Sequence, residues 1–271
     1  MRLLITGANG FLGRALLPLL PVDWNIVALA RTAVGADASP LTYHALERLL
    51  ASEPAFDGVM HLAAQIQMPR AGPAGFLPSN VDLCSALVQA YPDARHVLAS
   101  SVSVYGRSGP LPITIDTPCR PDQPYGLSKL AAECVVGVAA RHAIVRFSSL
   151  LGRGMHPDTF VPRVIADALA HRRITLLGTG VRMQNYLDVR DAAAMCLAAL
   201  QATSNFSTLG IGPRSWSNHE IAGMIAPRLG AEVVMSGADD SPSYVYALTG
   251  SVELGQNTRP IGDTLDWLVE R

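Results

Sequence analysis

The stretch Arg2-Leu3-Leu4-Ile5-Thr6-Gly7-Ala8-Asn9-Gly10-Phe11-Leu12-Gly13 decides the fold. Residues 2–6 are a short continuous apolar run, glycines follow at 7, 10 and 13, and residues 11–20 carry apolar side chains on a helical period until Pro18 and Pro21. That order reads as a buried strand, a glycine turn and a helix. Gly7 permits the tight turn, Gly10 lets backbone approach a pyrophosphate, and Gly13 lets the helix pack on the strand. The helix N-terminus offers its free N–H groups to phosphate. A glycine triplet of this kind is also met in ordinary turns, so its position between strand and helix matters more than its spelling.

Working outward, apolar runs at 25–30, 57–64, 95–100 and 143–147 alternate with helix candidates at 46–51, 79–91 and 128–141. Alternation of this sort predicts an α/β fold, a doubly wound parallel sheet with helices on both faces. From about Leu150 glycine and proline become frequent and the elements shorten: a helix at 160–171, a strand at 174–177, a helix at 190–200 and another after Ser217. That last helix opens on Ser217-Asn218-His219-Glu220, a capping box. Residues 1–150 are therefore predicted to form a Rossmann nucleotide-binding domain to which later segments return. Residues 151–271 are predicted to form a small interleaved C-terminal substrate lobe.

Composition narrows the class. The 271 residues are 49% hydrophobic and 16% charged, enough apolar matter for a substantial core and too much for a disordered chain. Twenty-one basic against twenty-two acidic side chains leave a net charge of −1, and no basic run exceeds Arg172-Arg173. Nucleic acid and anionic membrane are thus not expected partners. Cys84, Cys119, Cys134 and Cys196 show no metal or disulfide spacing and read as reduced thiols, with Cys84, Cys134 and Cys196 on apolar helix faces. His96, His142, His156, His171 and His219 show no metal spacing either, so no metal is expected. Only residues 3–5 precede the glycine turn as an apolar run, too short for a signal peptide, and no stretch reaches membrane-spanning length. A soluble cytoplasmic protein is expected.

The second strand ends Ala28-Leu29-Ala30-Arg31-Thr32, without the carboxylate that would bind the ribose 2′-hydroxyl of NAD. Arg31 favours the 2′-phosphate of NADP. An exposed arginine at a strand end is the plainer alternative, so NAD stays open.

Tyr125-Gly126-Leu127-Ser128-Lys129 contains the sole lysine of a chain whose other twenty basic residues are arginine. On a helix, four residues put phenol and ammonium on one face. A phenol of ordinary pKa near 10 needs a neighbouring positive charge to work at neutral pH, and a compact ammonium supplies it. Upstream, Ser100-Ser101-Val102-Ser103-Val104-Tyr105-Gly106 lies at the carboxyl end of a strand, where open parallel sheets bind ligands. A serine there donates to a carbonyl, or simply forms a turn. His61, inside an apolar strand, reads as a packing residue beside the cofactor.

Together these features resemble the extended short-chain dehydrogenase/reductase family, the NAD-dependent epimerases and dehydratases. Supporting motifs are Asp57-Gly58-Val59-Met60-His61-Leu62-Ala63-Ala64, Asn80-Val81, Glu133 after the lysine, and Phe160-Val161-Pro162-Arg163. The resemblance implies a catalytic set of Ser101, Tyr125 and Lys129. In it Tyr125 is the general acid-base, Ser101 polarises the reacting oxygen, and Lys129 lowers the phenol pKa and binds ribose. Cofactor is assigned to Gly7, Asn9, Gly10, Phe11, Leu12, Gly13, Arg31, Leu62, Ala63 and Ala64, with Tyr125 and Lys129. Ser103, Ser149 and Arg182 are the substrate candidates. A homodimer through the apolar 130–140 helix follows by analogy.

Several positions depart from the family pattern. Val102 and Ser103 stand where the 4,6-dehydratases carry Asp-Glu, which disfavours dehydration. The R-x-x-N segment that contacts sugar nucleotides reads Arg146-Phe147-Ser148-Ser149, and Gln184 replaces an arginine that meets the substrate diphosphate, leaving Arg182 to supply charge. The length, short for the family, implies a small substrate lobe. The leading expectation is a reductase of a 4-keto group on a nucleotide-linked sugar. The alternatives are a 4-epimerase with tightly bound NAD, a reductase of a non-sugar carbonyl, and a non-catalytic NADP-binding sensor.

Overall fold

The computed structural model describes residues 1–29, 43–52, 55–66, 72–107, 111–252, 254–255 and 258–270. The first half alternates as predicted: β1 (Arg2–Thr6), α1 (Phe11–Leu16), β2 (Asn25–Leu29), α2 (Tyr43–Ser52), β3 (Gly58–His61), α3 (Leu83–Ala90), β4 (Arg95–Ser101), α4 (Pro124–Gly137) and β5 (Arg141–Phe147). There follow β6 (Ser149–Leu151), α5 (Phe160–His171), β7 (Arg173–Leu177), β8 (Met183–Asp188), α6 (Val189–Gln201) and β9 (Phe206–Gly210). The chain then adds β10 (Ser215–Ser217), α7 (Asn218–Leu229), β11 (Glu232–Ser236) and α8 (Ile261–Val269).

Six parallel strands form the main sheet in the order β2-β1-β3-β4-β5-β9. Leu3, Leu4, Ile5, Val59 and Met60 are fully buried, as unbroken apolar runs require in a strand covered on both faces. On one face α1 and α6 pack through Leu12, Leu16, Ala192, Ala193, Cys196 and Ala199. On the other lie α2, α3 and α4, through Leu46, Leu49, Leu87, Ala132 and Val136. The order reverses at β1, so the ligand crevice of such a sheet opens at the carboxyl ends of β1 and β3.

Residues beyond 150 supply both the edge strand β9 and the covering helix α6 to this body. The rest of that half builds a second lobe: a three-stranded β10-β8-β6 sheet, a parallel β7-β11 pair, and α5, α7 and α8. These close around Val161, Val164, Ile174, Ile221, Ile225 and Leu265. Both bonds of the predicted capping box are present on α7, Glu220 N–H to Ser217 Oγ at 3.1 Å and Ser217 N–H to Glu220 Oε2 at 2.7 Å.

Three boundaries differ from expectation. α4 starts at Pro124 and not at 128, because proline fits the first helical turn, where its missing N–H leaves no bond unmade. Pro18 limits α1 to Leu16, and a tight 3₁₀ turn takes Leu17–Leu19. A wider π turn, Pro78–Asp82, precedes α3. Cys84 and Cys196 are buried, but Cys134 is exposed, contrary to its predicted core position. It shares the outer side of α4 with exposed Leu127 and Val138, seven residues before it in helical phase and four after.

Candidate active site

The glycine turn is held by steric necessity. Gly7 has φ +70°, and a Cβ there would stand 2.6 Å from the Ala63 nitrogen. A Cβ on Gly13 would overlap the carbonyls of Gly7 and Ala8, so helix and turn meet only through glycine. Thr6, absent from the predicted site, ties this turn to the neighbouring strand: its Oγ1 accepts from the N–H groups of Leu62 (3.2 Å) and Ala63 (3.1 Å) and donates to the Met60 carbonyl (3.3 Å). Gly10 is the N-cap of α1, and no acidic side chain occupies the first turn. The free N–H groups there suit a diphosphate, so the residues present fit a dinucleotide.

A cavity of about 1180 Å³ runs from this turn across the strand ends into the second lobe. That exceeds the ~300–1,000 Å³ of a typical single-ligand site. Gly7, Asn9, Gly10, Phe11 and Leu12 line one end, with Leu62, Ala63 and Ala64 beside them. Ser101, Ser103 and Tyr125 line the middle, and Ser149, Arg163, Arg182, Gln184, Tyr186 and Asn218 the far end. Two predicted positions are not on this wall, and a third lies beyond what the structure describes. Gly13 lies beneath the turn, Lys129 is buried behind it, and Arg31 falls outside the described residues.

Tyr125 sits in the first turn of α4. Burial pushes its phenol up to about 12, while a side-chain hydrogen bond with Ser101 draws it down. Ser101 also caps the turn Val102–Tyr105, accepting from the Ser103 N–H at 3.2 Å, so turn former and site residue are the same serine. Gly126 allows the approach, since a Cβ there would stand 2.5 Å from the Ser103 carbonyl oxygen.

Lys129 lies one turn further along α4, 2% exposed. Burial lowers its pKa, opposed by Cys84 and Glu133. Its charge also acts on His61. The predicted lowering of the Tyr125 value by Lys129 is not seen here: burial and Ser101 set the phenol, and the ammonium's electrostatic neighbours lie on β3, α3 and its own helix.

Two buried groups brace this centre. Asn80 accepts from the Gln65 N–H (2.7 Å) and donates to the Gln65 carbonyl (3.0 Å) and to Ser128 Oγ (2.9 Å), while Ser128 Oγ donates to the Tyr125 carbonyl (2.8 Å). The loop after β3 is thereby fastened to the turn that carries Tyr125. His61 is buried as predicted and stacks on His96, ring centroids 5.2 Å apart. His96 Nε2 lies 2.9 Å from the Tyr91 carbonyl, which only accepts, so His96 Nδ1 accepts in turn from His61 Nε2–H at 2.9 Å. Burial holds both rings below the ordinary histidine value.

Arg146, which opens the segment matching the family's R-x-x-N motif, turns into the interior and pairs with Glu133 at 2.8 Å. Asn185 is likewise structural, bonded to Ser148 and to both backbone groups of Gly212. Gln184 donates to Asn218 Oδ1 (3.1 Å), and Arg182 Nε donates to the Pro242 carbonyl (3.2 Å). The Tyr186 hydroxyl is buried and has no hydrogen-bond partner among the described residues. No local spacing marks Asn218 or Tyr186 as site residues, and Gln184 is marked only by its place in a family motif, because β8 and α7, far apart in sequence, bring Asn218 to the other two.

A parallel sheet with a glycine cradle at its switch point, and a serine and tyrosine meeting at the next strand ends, defines a dinucleotide-dependent enzyme of the extended short-chain dehydrogenase/reductase type. The family model for NAD dependent epimerases and dehydratases matches residues 3–212. The chain belongs to that family. Its relatives include a UDP-glucose 4-epimerase of Lactobacillus helveticus, 26% identical over 262 residues that cover 82% of this chain and 79% of the relative. A dTDP-glucose 4,6-dehydratase of Streptomyces griseus is 28% identical over 268 residues, 85% of this chain and 79% of the relative. Among solved structures, MoeE5 in complex with UDP-glucose and NAD superposes with a TM-score of 0.80 at 26% identity, over 99% of this chain and 98% of that one. Among the described residues no helix is long and apolar enough to cross a membrane.

Proposed function

We propose that this chain exchanges hydride at a hydroxyl-bearing carbon of a nucleotide-linked sugar, with Tyr125 as the proton carrier, in the cytoplasm. The observation that carries the reading is the Ser101–Tyr125 pair midway along a cavity with a phosphate-type cradle at one end and Arg163 and Arg182 at the other. NAD(H) or NADP(H), when bound, accepts or supplies the hydride. Gly7, Gly10, Phe11 and Leu12 would hold its diphosphate, Leu62, Ala63 and Ala64 would flank it, and Lys129 would take its ribose. With a phenol value near 12, Tyr125 is protonated at neutral pH. It gives its proton to the oxygen of the reacting carbon as hydride arrives, while Ser101 polarises that oxygen. In the reverse direction the same oxygen returns the proton.

The leading form is reduction of a 4-keto sugar. Val102 and Ser103 offer no carboxylate for dehydration, and Arg31 favours NADP. A 4-epimerase, which oxidises and re-reduces one carbon, is the second reading, favoured by the UDP-glucose 4-epimerase relatives and by the NAD of the MoeE5 complex. Denaturing fresh protein and identifying the released nicotinamide cofactor by mass spectrometry separates them. Near-stoichiometric NAD supports the epimerase, and little cofactor or freely exchanging NADP(H) supports the reductase. In either case Tyr125→Phe is expected to lower turnover about 10²- to 10⁴-fold with cofactor binding intact. Full turnover in that variant would sink the mechanism and leave a sensor role standing.

A further inference from the structure

We propose that a buried ionic cluster behind the cavity, Glu133 and Arg146 with Ser100 and Tyr105, is a positioning device that sets how Ser101 meets Tyr125. Its kinetic part rests on the functional reading above.

Tyr125, Lys129 and Glu133 follow one another at four-residue steps along a single face of α4. Arg146 on β5 lies in register with Ser100 on β4. The Glu133 carboxylate receives Arg146 Nε at 3.0 and 3.2 Å, Arg146 Nη2 at 2.8 Å, and Ser100 Oγ–H at 2.5 Å. Arg146 Nη1 donates to the Tyr105 hydroxyl at 2.9 Å, and the guanidinium carbon stands 5.1 Å from the centroid of that ring. Side-chain exposure is 6% for Glu133 and 11% for Arg146. Burial pulls the guanidinium down, yet its bonds and charge contact with Glu133 carry it above the ordinary arginine value.

The position of the cluster matters more than its strength. Ser100 immediately precedes Ser101, and Tyr105 closes the turn that Ser101 caps. Both ends of the segment bearing Ser101 are therefore tied to one ion pair, and the acid of that pair lies two helical turns from Tyr125. Glu133, Arg146 and Tyr105 do not line the cavity, so they act through Ser101 and Tyr125 and not on a ligand. Stability alone does not account for the pair, because an apolar pair of similar volume often holds a core as well. What the ionic version adds is direction: two oxygens on a planar fork fix both the distance and the rotation between helix and strand.

The test is the double variant Glu133→Leu/Arg146→Met, which fills the same space without the fork. The expected result is a melting temperature within a few degrees of the parent, unchanged cofactor retention, KM within about twofold, and kcat lower by about 10- to 100-fold. In a Tyr125→Phe background the same double change is expected to cost nothing further, since the geometry it spoils no longer has a function. A kcat within twofold of the parent, or an equal loss in the Tyr125→Phe background, overturns the proposal. Should the double variant not fold, Glu133→Gln, which keeps shape and removes charge, is read by the same measurements. If the parent turns over no nucleotide-linked sugar, the functional reading fails separately. A crystal structure of the variant then decides: a broken Ser101–Tyr125 contact sustains the positioning role, and an unchanged one overturns it.

Discussion

The two ends of the cavity are built from different material. At the glycine end main chain is brought up to the ligand space, and two positions, Gly7 and Gly13, admit no side chain because a Cβ would meet backbone, while one at Gly10 would crowd the Gly7 carbonyl at 3.0 Å. At the far end the wall is side chains, among them Arg163, Arg182, Gln184 and Asn218, drawn from α5, β8 and its approach, and α7. Where backbone does the holding, the chain has little freedom of spelling. Where side chains do it, chemistry of the same kind is reached by many spellings, and the end that chooses the substrate is free to vary.

The sharpest way to break this contrast is Gly13→Ala. Its methyl group would press on the Gly7 and Ala8 carbonyls, so retained cofactor is expected to fall at least 100-fold, with unfolding free energy lower by about 1–3 kcal/mol. Isothermal titration with the cofactor and urea denaturation measure the two. Unchanged affinity would show that the turn tolerates a side chain and that the ends do not differ as described. Next in size is Arg182→Ala at the other end. Losing a charged donor there is expected to raise KM for a nucleotide-linked sugar about 10- to 100-fold, with kcat and cofactor affinity kept. A change in cofactor affinity instead would assign Arg182 to the wrong end.

The smallest effect concerns the histidine pair beneath the glycine end. Both rings titrate below the ordinary value of 6.5 in the folded chain, so on acidification the unfolded chain takes up protons before the folded one does. Their contribution is complete above about pH 6.5 and is lost as pH falls below it. Each histidine contributes at most about 1.4 kcal/mol per pH unit to that slope. Urea midpoints at pH 7.0 and 5.5 are expected to fall on acidification, and less so in His61→Gln. An equal fall in both proteins would mean the pair does not stay neutral.

Much of the glycine end was legible because its signals are local. Thr6 to Gly13 is one uninterrupted segment, and Tyr125 and Lys129 are one helical turn apart, so spacing alone carried the geometry. The Arg146–Glu133 pair was not legible, because the two residues lie on different elements and burial, invisible in a linear string, decided where the guanidinium went. Asn80 could be seen to open a helix but not to clamp Gln65 to Ser128, a contact that depends on the fold. Gln184 could be read only as a departure from a family motif and Asn218 and Tyr186 not as site residues, since β8 and α7 become neighbours only after the second lobe has closed. Cys134 was misplaced because an apolar stretch of helix does not reveal which of its sides faces the sheet.

The edge strand β9 has a consequence for how the chain is made. During synthesis from the N-terminus, β1 to β5 and their helices leave the ribosome well before Phe206–Gly210. Until then β5 has an unpaired border, and the sheet face that α6 later covers stays open. An unpaired border and an open apolar face on a nascent chain are what chaperones recognise and what neighbouring chains adhere to. For this protein the hazardous interval of biogenesis is the time needed to translate the excursion between β5 and β9, and slowing elongation within that stretch lengthens the exposure.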